Sequence, residues 1–193
     1  MKVKETSLNY LTQKKIYTYQ DYLNLPEDDK RYEIINGELV MVPAPSTNHQ
    51  DIGLNIKYEL KRFIEKYKVG KIYDAPTDVV LSETNVVQPD ILFITKDHYD
   101  IITEKNITGA PDLIIEILSP STGYYDLIEK KEIYEKFGVR EYCIVDPKKQ
   151  WVEIYTNKAN KFALKQRLEK AGVLESWVLR GFQLGMEKIF VLE

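Results

Sequence analysis

The chain has 193 residues, 44% hydrophobic and 30% charged, with a net charge of −3 and a sequence pI near 5.6. That length suits one domain, 1–193, with a sizeable core. The composition excludes several classes: no stretch nears the roughly 18 apolar residues of a membrane span, and the polar start lacks a signal-peptide core. The single Cys143 excludes an internal disulfide, and the acidic balance excludes the basic footprint of a constitutive DNA binder. A cytoplasmic protein is expected.

Residues 1–17 read as a loosely held lead-in. Tyr19 to Leu25 predicts a short helix stopped before Pro26. Tyr32 to Ile35, then Asn36-Gly37, then Glu38 to Val42 predicts a hairpin, because Asn-Gly supplies the positive φ angles of a tight turn. Ser46 can cap a long helix in which Ile52, Ile56, Leu60, Phe63 and Ile64 recur at helical spacing, with Gly70 as its stop. Strands are expected at Lys71–Tyr73, Asp78–Leu81, Val86–Ile94 and Asp112–Leu118. A second helix follows from about Thr122 to Phe137 and ends at Gly138. Glu141–Asp146 and Trp151–Thr156 are further strands, and 157–193 reads as a β-rich extension with candidates at Phe162–Leu168, Ser176–Leu179 and Lys188–Leu192. The order predicts an α/β fold with a mixed central β-sheet flanked by helices.

Two acids stand out. Asp90 and Glu116 sit inside or at the edge of apolar runs that read as buried strands. A carboxylate moved from water into a sheet core is costly unless something pairs with it or binds it. Two such acids in neighbouring strands can hold a divalent cation. Asp112, on the same side of its strand as Glu116, is a rival ligand, but it more simply opens the strand and bonds locally.

The second helix carries a third clue. At about 100° per residue, Leu127, Ile133, Tyr134 and Phe137 share one broad face, and Lys130 falls near its middle. An ammonium aimed into an apolar stripe needs a partner, and the adjoining strand carries Glu116. A snorkelling lysine or a structural ion pair would give the same pattern. Among the other basic residues, Lys57, Lys61, Arg62, Lys148 and Lys149 could touch nucleic acid, although solvated charge is the simpler reading. His49 could contact substrate or cap the long helix. Ser121 and Thr122 are candidate caps for the second helix, and Ser119 is one too unless it lines a cleft. His98 reads as surface.

Several segments together resemble the Uma-two family of the PD-(D/E)xK nuclease superfamily. These are Arg31 to Leu39, Gln88-Pro89-Asp90, Ala110 to Thr122, Lys130 with Tyr134, and Gly138 to Pro147, spanning about Tyr19 to Tyr155. The resemblance implies a restriction-endonuclease-like core. Asp90 matches the first metal-binding acid and Glu116 the second. The lysine usual two residues after the second acid is missing, since Leu118 stands there, and Lys130 matches the helical lysine that takes its place. Glu33 matches an acid near the metal in related nucleases. Cys143 replaces the usual aromatic and reads as core.

The expected activity is Mg²⁺-dependent hydrolysis of DNA phosphodiesters, with Mn²⁺ able to substitute. Asp90, Glu116 and the Ile117 carbonyl are the expected metal ligands, and Lys130 and Glu33 complete the catalytic set. The alternatives are a non-catalytic nucleic-acid-binding or assembly module that keeps the fold, and a structural cation site. The hairpin and the C-terminal strands offer edges that a homodimer could cover.

Overall fold

At Pro89 the chain passes from one β-sheet to another, and this crossing places the site. The structure, a computed structural model, describes residues 15–26, 28–119 and 126–191. In chain order the elements are α1 (Tyr19–Leu23), β1 (Arg31–Ile35), β2 (Glu38–Val42), α2 (Thr47–Tyr67), β3 (Gly70–Asp74), β4 (Val79–Ser82), β5 (Asn85–Val87) and β6 (Ile91–Thr95). A 3-10 turn (Lys96–Ile101), β7 (Ile107–Thr108) and β8 (Leu113–Ile117) follow. A π-helical turn (Asp126–Lys130) then runs into α3 (Lys131–Phe137). The chain continues through β9 (Glu141–Asp146), β10 (Trp151–Asn157), β11 (Phe162–Glu169), β12 (Val173–Glu175), β13 (Gln183–Gly185) and α4 (Met186–Ile189).

The central sheet has the order β11-β10-β9-β8-β6-β3. Within it β8 and β9 are parallel, joined through α3, and the other neighbours are antiparallel. A smaller sheet runs β2-β1-β5-β4-β7, and β12 pairs with β13. This is the mixed α/β architecture that the element order predicts.

Alternation along the central strands sends side chains to two separate cores. Phe93, Leu113, Ile115, Ile117 and Val145 meet Ile52, Ile56, Leu60 and Ile64 of α2, together with Leu184, Met186 and Ile189 from the C-terminal segment. Leu92, Ile94, Ile114, Tyr142 and Ile144 face the other way, against Ile35, Val79 and Val87 of the small sheet and Ile133 and Tyr134 of α3. Glu116 shares this second face with Ile114, between the small sheet and α3.

The hairpin turn is as expected, with φ of 50° at Asn36 and 81° at Gly37. Ser46 caps α2, its hydroxyl accepting from the His49 amide at 3.3 Å. Four expectations need correcting. Val86–Ile94 is not one strand: β5 pairs with β1 and β4, while β6 pairs with β3 and β8. Pro89 has no N–H for a ladder, and the Gln88 amide goes to the Glu33 carboxylate at 2.6 Å, so pairing stops there. Second, α2 ends at Lys68 in the left-handed region (φ 52°, ψ 46°), not at Gly70. Gly70 starts β3, where a Cβ would collide with the Ile94 carbonyl and the Phe93 ring.

Third, Ser176–Leu179 is a bend. The Trp177 and Val178 amides donate to Glu141 at 2.7 and 2.8 Å, and the Leu179 amide donates to the Ser176 hydroxyl at 2.8 Å, so they are not available to a partner strand. The expected strand at 188–192 is replaced by α4, whose turn closes through the Phe190 amide and the Met186 carbonyl at 3.0 Å. Of the second predicted helix, residues 122–125 lie outside the described residues, as do the candidate caps Ser121 and Thr122. The remainder ends at Gly138 as expected, with φ 86°.

Candidate active site

Antiparallel pairing of β6 with β8 matches Ile91 to Ile115 and Leu92 to Ile114. One further step brings Asp90 opposite Glu116. The Asp90 amide lies 3.4 Å from Glu116 Oε2, and the Ile117 amide donates to Asp90 Oδ2 at 2.8 Å. The acids that stand 26 positions apart in sequence are thus held together by backbone register.

Lys130 and Tyr134 stand four residues apart, so they project from the same side of their helical segment. Lys130 Nζ donates to Glu116 Oε1 at 3.2 Å and to Glu33 Oε1 at 2.9 Å, and the Tyr134 hydroxyl donates to Glu116 Oε1 at 2.7 Å. Glu33, Glu116 and Lys130 are 3%, 3% and 5% exposed. At that depth each charge depends on the others, because an unpaired buried ion would be strongly destabilising. Lys130 closes the π-helical turn, a wider turn often found at functional sites. Burial first, then the Glu116 and Glu33 carboxylates, pushes the Tyr134 phenol well above its ordinary range, so it stays a donor.

His49, in the first turn of α2, places Nε2 3.1 Å from Asp90 Oδ2. Asp90, Glu116, Glu33, Lys130, Ile117 and Ser119 all line one cleft, roofed by the β2 strand and the prolines after it, with a cavity volume of about 60 Å³. Open grooves continue from it on two sides, one past Gln50 and Lys57 and the other past Asn48 and Lys148. His49 borders all three spaces.

The structure therefore brings Asp90, Glu116, Lys130 and Glu33 together. Asp112 is not at the cleft. It is buried at the residue just before β8, where it accepts from the Thr95 amide (2.7 Å), the Thr95 hydroxyl (2.8 Å) and Arg140 (2.9 Å), with His98 Nδ1 also at 2.9 Å. His98, expected at the surface, is half-exposed and spans from solvent to that buried acid. His49 meets an acid rather than capping α2. Cys143 is buried in the core, and burial pushes its thiol well up. Of the basic candidates, Lys57 pairs with Asp74, Lys61 with Glu65 and Arg62 with Glu59, while Lys148 borders a groove. Sequence reasoning assigned no role to Tyr134 or Gln88. Tyr134 was within reach, four residues from Lys130 on the same face. The Gln88 amide on Glu33 carries no local sequence signal.

The fold is one shared with a protein described as a nuclease. The crystal structure of a "putative nuclease belonging to DUF820" from Anabaena variabilis ATCC 29413 matches with a TM-score of 0.75 at 20% identity, over 90% of this chain and 97% of that one. The sequence matches the Uma2 family, described as "Putative restriction endonuclease", over residues 19–187, and the chain belongs to that family. It is also similar to the uncharacterized protein sll1609 of Synechocystis sp. (strain ATCC 27184 / PCC 6803 / Kazusa). The two are 27% identical over 136 residues, 68% of this chain and 76% of that protein. No helix among the described residues is long and apolar enough to cross a membrane.

Proposed function

We propose that this chain is a divalent-cation-dependent endonuclease that hydrolyses phosphodiester bonds in DNA, with Mg²⁺ as the cation and Mn²⁺ able to replace it. The observation that carries this reading is the Lys130 ammonium set between Glu33 and Glu116, with Asp90 one register step across the strands. Membership of a family described as "Putative restriction endonuclease" supports DNA as the substrate.

The donor set suits a hard cation. Mg²⁺ is held by one or two carboxylates and keeps several waters, and Asp90 and Glu116 offer carboxylate oxygens on a cleft with room for about four waters. Among the described residues no group of three or more His, Cys, Asp or Glu side chains could hold a metal by itself. A site completed by water, a main-chain carbonyl and substrate phosphate needs no such group. Asp90, Glu116 and the Ile117 carbonyl would hold the cation, whose chemistry is to polarise the phosphate and acidify water.

The chain's own groups do the rest. Lys130 Nζ would donate to a phosphate oxygen as charge builds there, or hold the attacking water. Glu33 holds Lys130 at its post. The water oxygen bonds to phosphorus as the ester P–O bond breaks, and the leaving oxygen takes up a proton.

The test is cleavage of supercoiled and single-stranded DNA in Mg²⁺, Mn²⁺ or EDTA by wild type, Asp90→Ala and Lys130→Ala. Metal-dependent cutting lost in both variants is expected. A binding or assembly module is the second reading, favoured by the net charge of −3. Wild type that binds DNA without cutting it under any of these conditions would select that reading.

A further inference from the structure

We infer that Tyr134 is a positioning residue for the proposed cation site: its hydroxyl fixes the carboxylate of Glu116 in the orientation that a cation requires. The inference rests on the proposed site and adds a residue that the reading above does not use.

The two oxygens of Glu116 have different surroundings. Oε1 takes the Tyr134 hydroxyl at 2.7 Å and the Lys130 ammonium at 3.2 Å, both from the helical side. Oε2 is the oxygen on the Asp90 side, 3.4 Å from the Asp90 amide. A donor fixed on Oε1 therefore sets the plane of the carboxylate and directs Oε2 towards the other acid. Lys130 alone is a poor clamp, since its ammonium is a point charge on a flexible stem and is shared with Glu33.

Tyr134 is built for the task. It has no exposed surface, and its ring meets that of Tyr142 edge-on, with centroids 5.2 Å apart and planes at 66°. Its hydroxyl therefore has one place to be. Groups that orient a ligand from behind commonly set metal affinity.

The test is Mn²⁺ binding to the full chain, followed by electron paramagnetic resonance, for wild type, Tyr134→Phe and Ile133→Val. Tyr134→Phe keeps the ring and its packing and loses only the donor. Ile133→Val loosens the same helix without touching Glu116. The expected result is Mn²⁺ binding about ten- to a hundredfold weaker in Tyr134→Phe, with Ile133→Val like wild type. Unchanged binding in Tyr134→Phe overturns the inference and leaves the cation site standing. Equal weakening in Ile133→Val also overturns it, because helix packing would then be the cause. Wild type that binds no Mn²⁺ overturns the cation site itself, and this inference with it.

Discussion

Lys130 Nζ lies 2.9 Å from Oε1 of Glu33, a residue 97 positions earlier in the chain, and both are buried. The pair ties the π-helical turn before α3 to the small sheet across the cleft. Removing one member of a buried ion pair leaves an uncompensated charge, at a cost of about 3–5 kcal/mol. Lys130→Met should therefore destabilise by about that amount, and Glu33→Gln in the same background should add little. Urea melts of the two single variants and the double should give a coupling of about 1–3 kcal/mol. Additive effects would show that Lys130 and Glu33 do not depend on one another.

Asp90→Asn should leave the fold intact, because the amide oxygen can still accept from the Ile117 amide. Mn²⁺ binding should nevertheless fall by more than the roughly ten- to hundredfold that changes behind a ligand produce. Calorimetric titration beside a thermal melt checks both halves. Loss of stability with cation affinity retained would make Asp90 a structural residue.

The C-terminal segment is tied down by one buried acid. Burial pushes the Glu141 carboxyl above its ordinary 4.5, against the pull of the Val178 amide, the Ser176 hydroxyl and the Trp177 amide. The folded state thus binds this proton more readily than the unfolded state. Its contribution to stability is fully present below 4.5 and is lost as pH rises through the folded pKa. Glu141→Gln removes that dependence. The stability of wild type relative to Glu141→Gln should decline as pH rises above 4.5, read from urea midpoints. A difference that grows with pH would reverse the sign.

Gly70 lets β3 approach β6 where a Cβ would meet the Ile94 carbonyl and the Phe93 ring. Gly70→Ala should destabilise by about 1–3 kcal/mol, the range for overpacking. The site lies at the other end of this strand pair, so cleavage measured well below the melting temperature should be retained.

Much of the site could be read from local pattern. Asp90 and Glu116 showed themselves as acids in apolar runs, and Lys130 as a charge on an apolar face. The part of the face that lies in α3 held, with Ile133 and Tyr134 buried and Phe137 packed beside them, although Asp126–Lys130 is π-helical; the Leu127 side chain lies outside the described residues. The Asn36-Gly37 turn was legible because only two residues decide it.

What escaped depends on distant partners. Nothing local in Val86–Ile94 tells that its two ends join different sheets. The Ser176–Leu179 bend is made by Glu141, more than thirty positions away, at separations of 36 and 37. His49 could not be assigned because its contact, Asp90, is 41 positions off. Gly70 read as a helix stop because nothing local shows the strand it must approach.

The central claim is that Glu116 serves chemistry rather than folding. The measurement is the rate at which supercoiled plasmid is nicked in Mg²⁺ by wild type and by Glu116→Gln, each shown folded by its melting curve. Gln keeps the size of the side chain and one carbonyl oxygen for Tyr134. The expected result is a folded variant with nicking slowed about a hundredfold or more. A folded Glu116→Gln that nicks at the wild-type rate would contradict the assignment of this cleft as the active site.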